Sequence, residues 1–341
     1  MKMQVVCISL DNSTSECYHK FCVVNANHSH LFTRRCKMSK HKNFINIFIT
    51  LVLLCTSLLA GCGSEEKAAP PGKTSVVVSF NAMKELVQAV GQDKVAITTL
   101  IPDGTEPHDF QPTPKDMKAL HKAALFVYNG AGMESWTDTA IKAASNEKLQ
   151  VLEASKGIAL IELDDPDEIK EHGQYDPHTW LSLANAQIEV KNIADALSAV
   201  DPKNKDFYQK NAQSYNKQLA ELLAKYQGKF ARLPQKNFVT GHAAFAYLCR
   251  DLGLTQSSVE DVFASGEPSA HSLAQLAEFC KEKNVKTIFV EDAVSPKTSL
   301  TLAKEVGAGT QPIHTLESST GTLTYLQRME ENLEAIYKSM K

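Results

Sequence analysis

Hydrophobic and polar positions alternate between two rhythms along most of this chain. "TSVVVSF" (74–80) is an unbroken β-branched run, the pattern of a strand buried on both faces. "AMKELVQAVGQDK" (82–94) follows with helical spacing and closes at Gly91. "VAITTLI" (95–101) reads as a second strand, ending in the turn "PDGTEPHD". "TPKDMKALHKA" (113–123) is a helix with Thr113 placed to cap it and Pro114 in its first turn. Strand "ALFVYNG" (124–130), helix "MESWTDTAIKAAS" (133–145) and strand "LQVLEAS" (149–155) continue the alternation. Short strands alternating with helices predict a parallel α/β sheet.

The rhythm then changes. "LANAQIEVKNIADALSAV" (183–200) is helical, and residues 201–233 open on Asp-Pro and carry no strong breaker except Gly228. That stretch predicts a helix of about 40 Å at 1.5 Å per residue. Afterwards the α/β alternation restarts. Strand "NFVTG" leads to helices "HAAFAYLCRDLG" and "SLAQLAEFCKEKN", then to strand "VKTIFVED". Helices "SLTLAKEVG" and "TYLQRMEENLEAIYKSM" close the chain. The expected fold is α/β: two lobes with parallel sheets, at 74–200 and 234–341, joined by one long helix at 201–233.

The first 73 residues do not fit this rhythm. Residues 38–61 have a basic start, an apolar run from Phe44 to Ala60, and small residues before Cys62. This is the pattern of a secretory signal peptide rather than a settled membrane span. "LAGC" (59–62) resembles the bacterial lipobox, which implies that Cys62 carries lipid and starts the mature protein. Residues 62–73 then read as a flexible lipidated tether, rich in Gly, Ser, Pro and charge. Residues 1–37 have no place in that scheme and read as an N-terminal extension outside the mature protein.

Composition sharpens the picture. Hydrophobic residues make up 43% and charged residues 22%, as in a soluble globular protein. Residues 1–61 hold 7 Lys/Arg and 2 Asp/Glu, so from Cys62 onward 29 basic face 37 acidic residues, a net of −8. Such a surface argues against a nucleic-acid partner and does not repel a cation. Of 8 cysteines only Cys249 and Cys280 follow Cys62, too few for a disulfide framework. They read as buried thiols, with one bridge between them left open.

Candidate chemistry lies with histidines at strand ends. His108 in "GTEPHDF" follows a strand, His178 in "YDPHTWL" ends a long loop before a helix, and His242 in "VTGHAAF" follows a strand directly. In open α/β sheets, ligands bind where strand carboxyl ends meet helix starts. Imidazole is the commonest transition-metal ligand, and a closed tetrahedral site needs a fourth donor. Glu291, Asp292 and Glu317 are the candidate acids. The spacings match no local zinc motif, so spacing alone does not choose among them. No H-E-x-x-H, G-x-S-x-G or phosphate-cradling loop is present. A zinc hydrolase with three histidines and a glutamate base therefore stays open only as a weaker alternative.

At these residues the chain resembles the metal-binding lipoproteins of bacterial ABC importers for zinc and manganese (cluster A-I). The resemblance is carried in order by "PDGTEPHDFQPTPKD", "YDPHTWLS", "TGHAAFAYLCRDLGL", "GEPSAHSLAQL" and "LESSTGTLTYLQRMEENLEAI", spanning nearly all of 74–341. It implies a non-enzymatic, extracytoplasmic binding protein, monomeric and lipid-anchored at the cell membrane, with an ABC permease and its ATPase as partners. It also implies two lobes, a rigid connecting helix and one metal between the lobes, held by His108, His178, His242 and Glu317. Histidine at the third ligand position favours Zn2+, with Mn2+ the alternative, since manganese prefers oxygen donors. An adhesin-like surface role is a further alternative that the family allows.

The chain departs from the family's zinc-binding pattern in one place. The loop at 162–174 is acidic and holds only His172, where many zinc members have a histidine-rich loop. Several neighbours acquire expected roles. Pro107 and Pro177 lock φ just before their histidines. Glu106, Asp109 and Asp176 are candidates to accept the second ring N–H of a ligand histidine. Asp109 reads rather as a cap, and Trp180 is expected to pack inside the first lobe. His121 reads as a surface helix residue, and His271 and His314 as bystanders.

Cys62→Ser in the full chain is expected to shift the protein from the detergent phase to the aqueous phase in Triton X-114 partitioning. Unchanged partitioning would rule out Cys62 as the lipid attachment point.

Overall fold

The computed structural model describes residues 21–25, 28–32, 72–166, 169–170, 173–264, 268–291, 295–319 and 321–341. The leader at 38–61, Cys62, His172 and Asp292 lie outside them. The chain divides into two units, Met1–Lys67 and Ala68–Lys341. The first contains an antiparallel hairpin that the hydrophobic pattern did not suggest. Its strands are β1 (Phe21–Asn25) and β2 (His28–Phe32), with Phe21 opposite Phe32.

The second unit holds two four-stranded parallel sheets. In the first, β3 (Thr74–Val78) is flanked by β4 (Val95–Thr99) and β5 (Leu125–Tyr128), and β6 (Gln150–Glu153) pairs beyond β5. Val76, Val77 and Val78 are almost fully buried. A β-branched run with no polar face can only be satisfied by layers on both sides. Those layers include α1 (Asn81–Gly91), α2 (Pro114–Lys122), α3 (Thr137–Ala144) and α4 (Leu183–Val200). Helix α2 begins at Pro114 as its sequence predicts, and Asp116 accepts the Thr113 backbone N–H at 2.6 Å.

The second sheet has the order β10 (Gly309–Pro312), β9 (Thr287–Val290), β7 (Asn237–Thr240), β8 (Thr255–Ser258). Between its strands lie α6 (Ala246–Leu252), α7 (Ala270–Glu282) and α8 (Lys297–Val306). Strand β8 was not anticipated, because "TQSS" carries neither alternation nor an apolar run. The helix expected from His242 onward begins only at Ala246. His242 and its neighbours instead form an ordered loop pinned by hydrogen bonds. The Ala243 N–H, for example, donates to the Asp261 carbonyl at 3.1 Å.

Between the lobes runs α5 (Lys205–Phe230), preceded by a short 3-10 turn at Pro202–Asn204. Its 26 residues span ~39 Å. Its buried residues, among them Tyr208, Ala212, Leu219, Tyr226 and Phe230, recur at helical spacing and face α4 and α9 (Tyr325–Ser339). Asp201 anchors the start of this segment by accepting from the Tyr208 hydroxyl at 2.7 Å and from Thr74 at 3.1 Å. Further along, Glu334 on α9 accepts from Lys229 at 2.7 Å and from Tyr226 at 2.9 Å. Those two donors hold its carboxyl down at about 2.

One apolar core runs through the first sheet, α4, α5 and α9 and reaches Phe238, Phe245, Phe289 and Ile313 of the second lobe. A smaller cluster of Val239, Ile288, Ala277, Cys280 and Leu302 lies on the other side of the second sheet. Cys249 and Cys280 are free, buried thiols, so the bridge left open by the sequence does not form.

Leu219→Ala on α5, where the leucine is wholly buried, is expected to lower unfolding stability by about 2–5 kcal/mol. Urea denaturation of the metal-free protein measures this.

Candidate metal centre

His108, His178, His242 and Glu317 each offer one donor atom, and these atoms all lie within 4.8 Å of one another. They come from four separate loops at the carboxyl sides of the two sheets. His108 lies between β4 and α2, and His178 lies between β6 and α4, directly before the 3-10 turn Thr179–Leu181. His242 follows β7 by two residues, and Glu317 follows β10. The His178 and His242 side chains and the Glu317 carboxylate are at most 1% exposed, and the His108 side chain is 3% exposed.

Distances inside the cluster suit a small cation. The Nε2 atoms of His178 and His242 are 3.4 Å apart, and Glu317 Oε1 is 3.8 Å from His178 Nε2. Zinc–nitrogen bonds of about 2.0–2.1 Å make a tetrahedron edge of roughly 3.3–3.4 Å. Glu317 Oε1 is buried with no hydrogen-bond partner, while Oε2 accepts from the Thr315 hydroxyl at 2.7 Å. A buried carboxylate oxygen with no donor is costly unless a cation fills that role. Three nitrogens and one oxygen are the donor set that a borderline-soft divalent ion takes.

A carboxylate behind the His178 imidazole decides which ring nitrogen faces inward. Asp176 Oδ1 accepts from both the His178 backbone N–H at 2.9 Å and Nδ1 at 3.0 Å. That bond places the proton on Nδ1 and leaves the Nε2 lone pair for a metal. Behind His242 stands Glu291, whose Oε1 accepts the His242 backbone N–H at 3.2 Å and lies 3.6 Å from Nδ1, too far for a hydrogen bond to the ring. Glu291 thus sits behind the His242 ring and outside the donor cluster. Asp292, the other acid weighed from the sequence, lies outside the described residues. Glu106 Oε1 accepts the His108 backbone N–H at 3.3 Å and lies 3.9 Å from His108 Nε2. Asp109 is exposed.

The electrostatics are those of a buried site short of positive charge. Burial, with the neighbouring His242, holds the His178 imidazole well below its usual range and keeps it neutral. Burial also acts to lower His242, but Glu291 beside it, together with Glu317 and Glu106, raises it to about 9. Burial pushes Asp176 up to about 7, against the His178 backbone N–H that favours its charged form. Burial and the adjacent Glu317 push Glu106 up to about 8, and burial raises Glu317 as well. A divalent cation among these groups supplies the missing charge.

Other residues fall into place around the cluster. Trp180 is wholly buried, and the expectation that it packs inside the first lobe captures half of its role. Its ring meets Phe80 at 4.7 Å, but its Nε1–H donates to the Thr315 carbonyl at 2.7 Å, two residues before Glu317. His121 is exposed, with Nδ1 2.8 Å from the Ala144 carbonyl, and His271 is exposed on α7. His314 contacts Glu331 at 3.1 Å. The base of the acidic loop is pinned by a bridge between Glu162 and Tyr175 and by Leu163 N–H to the Gln174 carbonyl at 2.9 Å. Sequence reasoning missed Gly241. Its only signal was a glycine directly before a histidine at a strand end. A Cβ there would lie 1.9 Å from Glu291 Oε2.

The family model described as zinc-uptake complex component A, periplasmic (ZnuA), matches residues 76–339. The high-affinity zinc uptake system protein ZnuA of Bacillus subtilis (strain 168) is 38% identical over 316 residues, which cover 88% of this chain and 98% of that protein. Among solved structures, a mutant of the laminin-binding adhesin Lmb of Streptococcus agalactiae superposes with a TM-score of 0.73 at 37% identity, covering 79% of this chain and 100% of that one. The zinc(II)-bound structure of an AdcAII variant from Streptococcus pneumoniae gives 0.73 at 36% identity, covering 80% and 100%.

Gly241→Ala is expected to displace Glu291 and with it the His242 ring, lowering metal affinity by about 10–100-fold while the protein stays folded. Calorimetric titration beside a thermal melt checks this, and unchanged affinity would remove Glu291 from any part in placing His242.

Proposed function

This chain belongs to the family of periplasmic zinc-uptake complex components, and from that premise we propose that it captures a zinc ion outside the cytoplasmic membrane and delivers it to an ABC permease. The observation that carries this reading is the four-donor cluster, with two imidazole nitrogens 3.4 Å apart and a carboxylate oxygen 3.8 Å from one of them. His108, His178, His242 and Glu317 are its ligands in this reading. Asp176 fixes the ring orientation of His178, and Glu291 stands behind the ring of His242. Four protein donors leave no position for a catalytic water, in keeping with a carrier rather than a hydrolase. Three nitrogen donors favour zinc over manganese.

The same reading extends to the parts around the site. The lipobox at 59–62 supports a lipid anchor at Cys62 on the extracytoplasmic face, and the permease works with an ATPase that drives import. One chain supplies every donor of the cluster, so metal capture needs no second copy, which supports a monomer. The adhesin reading has one observation in its favour, the close likeness to Lmb. Absence of laminin binding by the purified protein would remove it without touching zinc capture.

Metal-free protein titrated with zinc is expected to bind one ion per chain with Kd well below about 1 μM. Binding must strip the proton from His242, which is raised to about 9 and so is charged at neutral pH in the metal-free site. Each zinc bound near pH 7 should therefore release at least one proton, and more where the raised carboxyls of Glu317 and Glu106 also give theirs up, seen by calorimetry in buffers of different ionisation enthalpy. Apparent affinity should weaken as pH falls below about 9, by up to ~tenfold per unit. Absence of one-to-one binding, or affinity that does not change between about pH 6 and 8, would overturn this reading.

A further inference from the structure

The loop that carries Glu317 follows the last strand of the second sheet, yet much of what holds it belongs to the first lobe. Consecutive backbone carbonyls along it each accept a hydrogen bond. The His314 carbonyl accepts from Asn332 Nδ2 at 2.7 Å, and the Thr315 carbonyl from Trp180 Nε1 at 2.7 Å. The Leu316 carbonyl accepts from Asn81 Nδ2 at 3.3 Å, and the Glu317 carbonyl from the Asn81 backbone N–H at 3.3 Å. The Ser318 carbonyl accepts from Arg328 at 2.8 Å. Asn81 opens α1 and Trp180 sits two residues after His178, so both belong to the first lobe. Beyond Glu317, the Gly104 N–H donates to the Ser318 hydroxyl at 2.8 Å, and the Ser319 N–H to Asp103 at 2.7 Å. The turn that carries His108 is thereby joined to the same loop.

The loop also needs holding. Leu316, directly before the ligand, is 2% exposed and has a φ of +61°. Left-handed backbone is disfavoured for a branched side chain with a Cβ, and it persists only where surrounding bonds impose it. The Asn81 amide on the Leu316 carbonyl is such a bond.

We propose that Asn81 and Trp180 are positioning residues for Glu317, fastening the fourth ligand to the first lobe beside His108 and His178. The ligand set then divides three to one. His242 is the one donor framed by the second sheet, through Thr240, Gln256 and Glu291. This inference rests on the four-ligand reading of the site.

The test is a double-mutant cycle on the full chain with zinc alone, paired with cobalt(II) as a spectroscopic stand-in. Glu317→Gln should weaken zinc binding and alter the visible cobalt band. Asn81→Ala should lower zinc affinity about tenfold and shift the cobalt band in the same direction. Combined with Glu317→Gln it should add little further loss, because both act through one ligand. Trp180→Phe, which keeps an aromatic ring and removes only the N–H donor, should behave likewise and serves if Asn81→Ala fails to fold. Additive losses with an unchanged cobalt band, or lower melting temperatures alone, would overturn the positioning role. Unchanged zinc affinity in Glu317→Gln would instead bring down the ligand reading itself, and the positioning role with it.

Discussion

Two imidazole nitrogens 3.4 Å apart, one from each lobe, are the contact on which the rest of this structure depends. Neutral imidazoles at that distance present lone pairs to each other, and a protonated one adds a buried charge. The acids around His242 hold the protonated state, and a divalent cation takes that proton's place. The protein keeps the arrangement because everything behind the rings is fixed. Asp176 orients one and Glu291 stands behind the other, and the strand ends of two sheets supply rigid points of departure. A site held this firmly without its cation is preorganised for one, and binding then orders little that is not already ordered.

That firmness extends through the fold. Helix α5 lies in a core that runs from the first sheet to the inner face of the second, so the lobes are not independent bodies tied by a flexible linker. Ion pairs and a tyrosine hydroxyl fasten α5 to α9, the helix that follows the Glu317 loop. The surface ion pairs contribute modestly, and the continuous apolar packing carries most of the stiffness. The site's acids stand at different depths. Glu291 and Glu317 are buried, while the Glu106 side chain keeps 22% of its surface exposed.

Much of this was legible in the chain. The strand–helix alternation predicted parallel sheets, because a β-branched run without a polar face must be covered on both sides. The unbroken stretch after Asp201 predicted the long helix. Histidines at strand ends pointed to a shared site, because parallel sheets gather their strand ends on one side. Strand β8 was not legible, since "TQSS" becomes a strand only because β7 lies ready beside it. The helix expected at His242 starts at Ala246, because the preceding residues make tertiary hydrogen bonds instead of helical ones.

The sequence by itself determined most element types, the two-lobe order and the short set of residues able to hold a metal, since periodicity and side-chain chemistry are local properties. Among the described residues, only the tertiary structure placed Glu317, and not Glu291, within reach of the three histidine donor atoms. It put Glu291 behind a ring and Glu317 in front of one, although both follow strands of the same sheet. It also gave Trp180 its bond across to the Thr315 carbonyl, 135 residues away along the chain. Such choices depend on distances between segments that no local pattern encodes, because they are set by how two sheets and a shared core pack together.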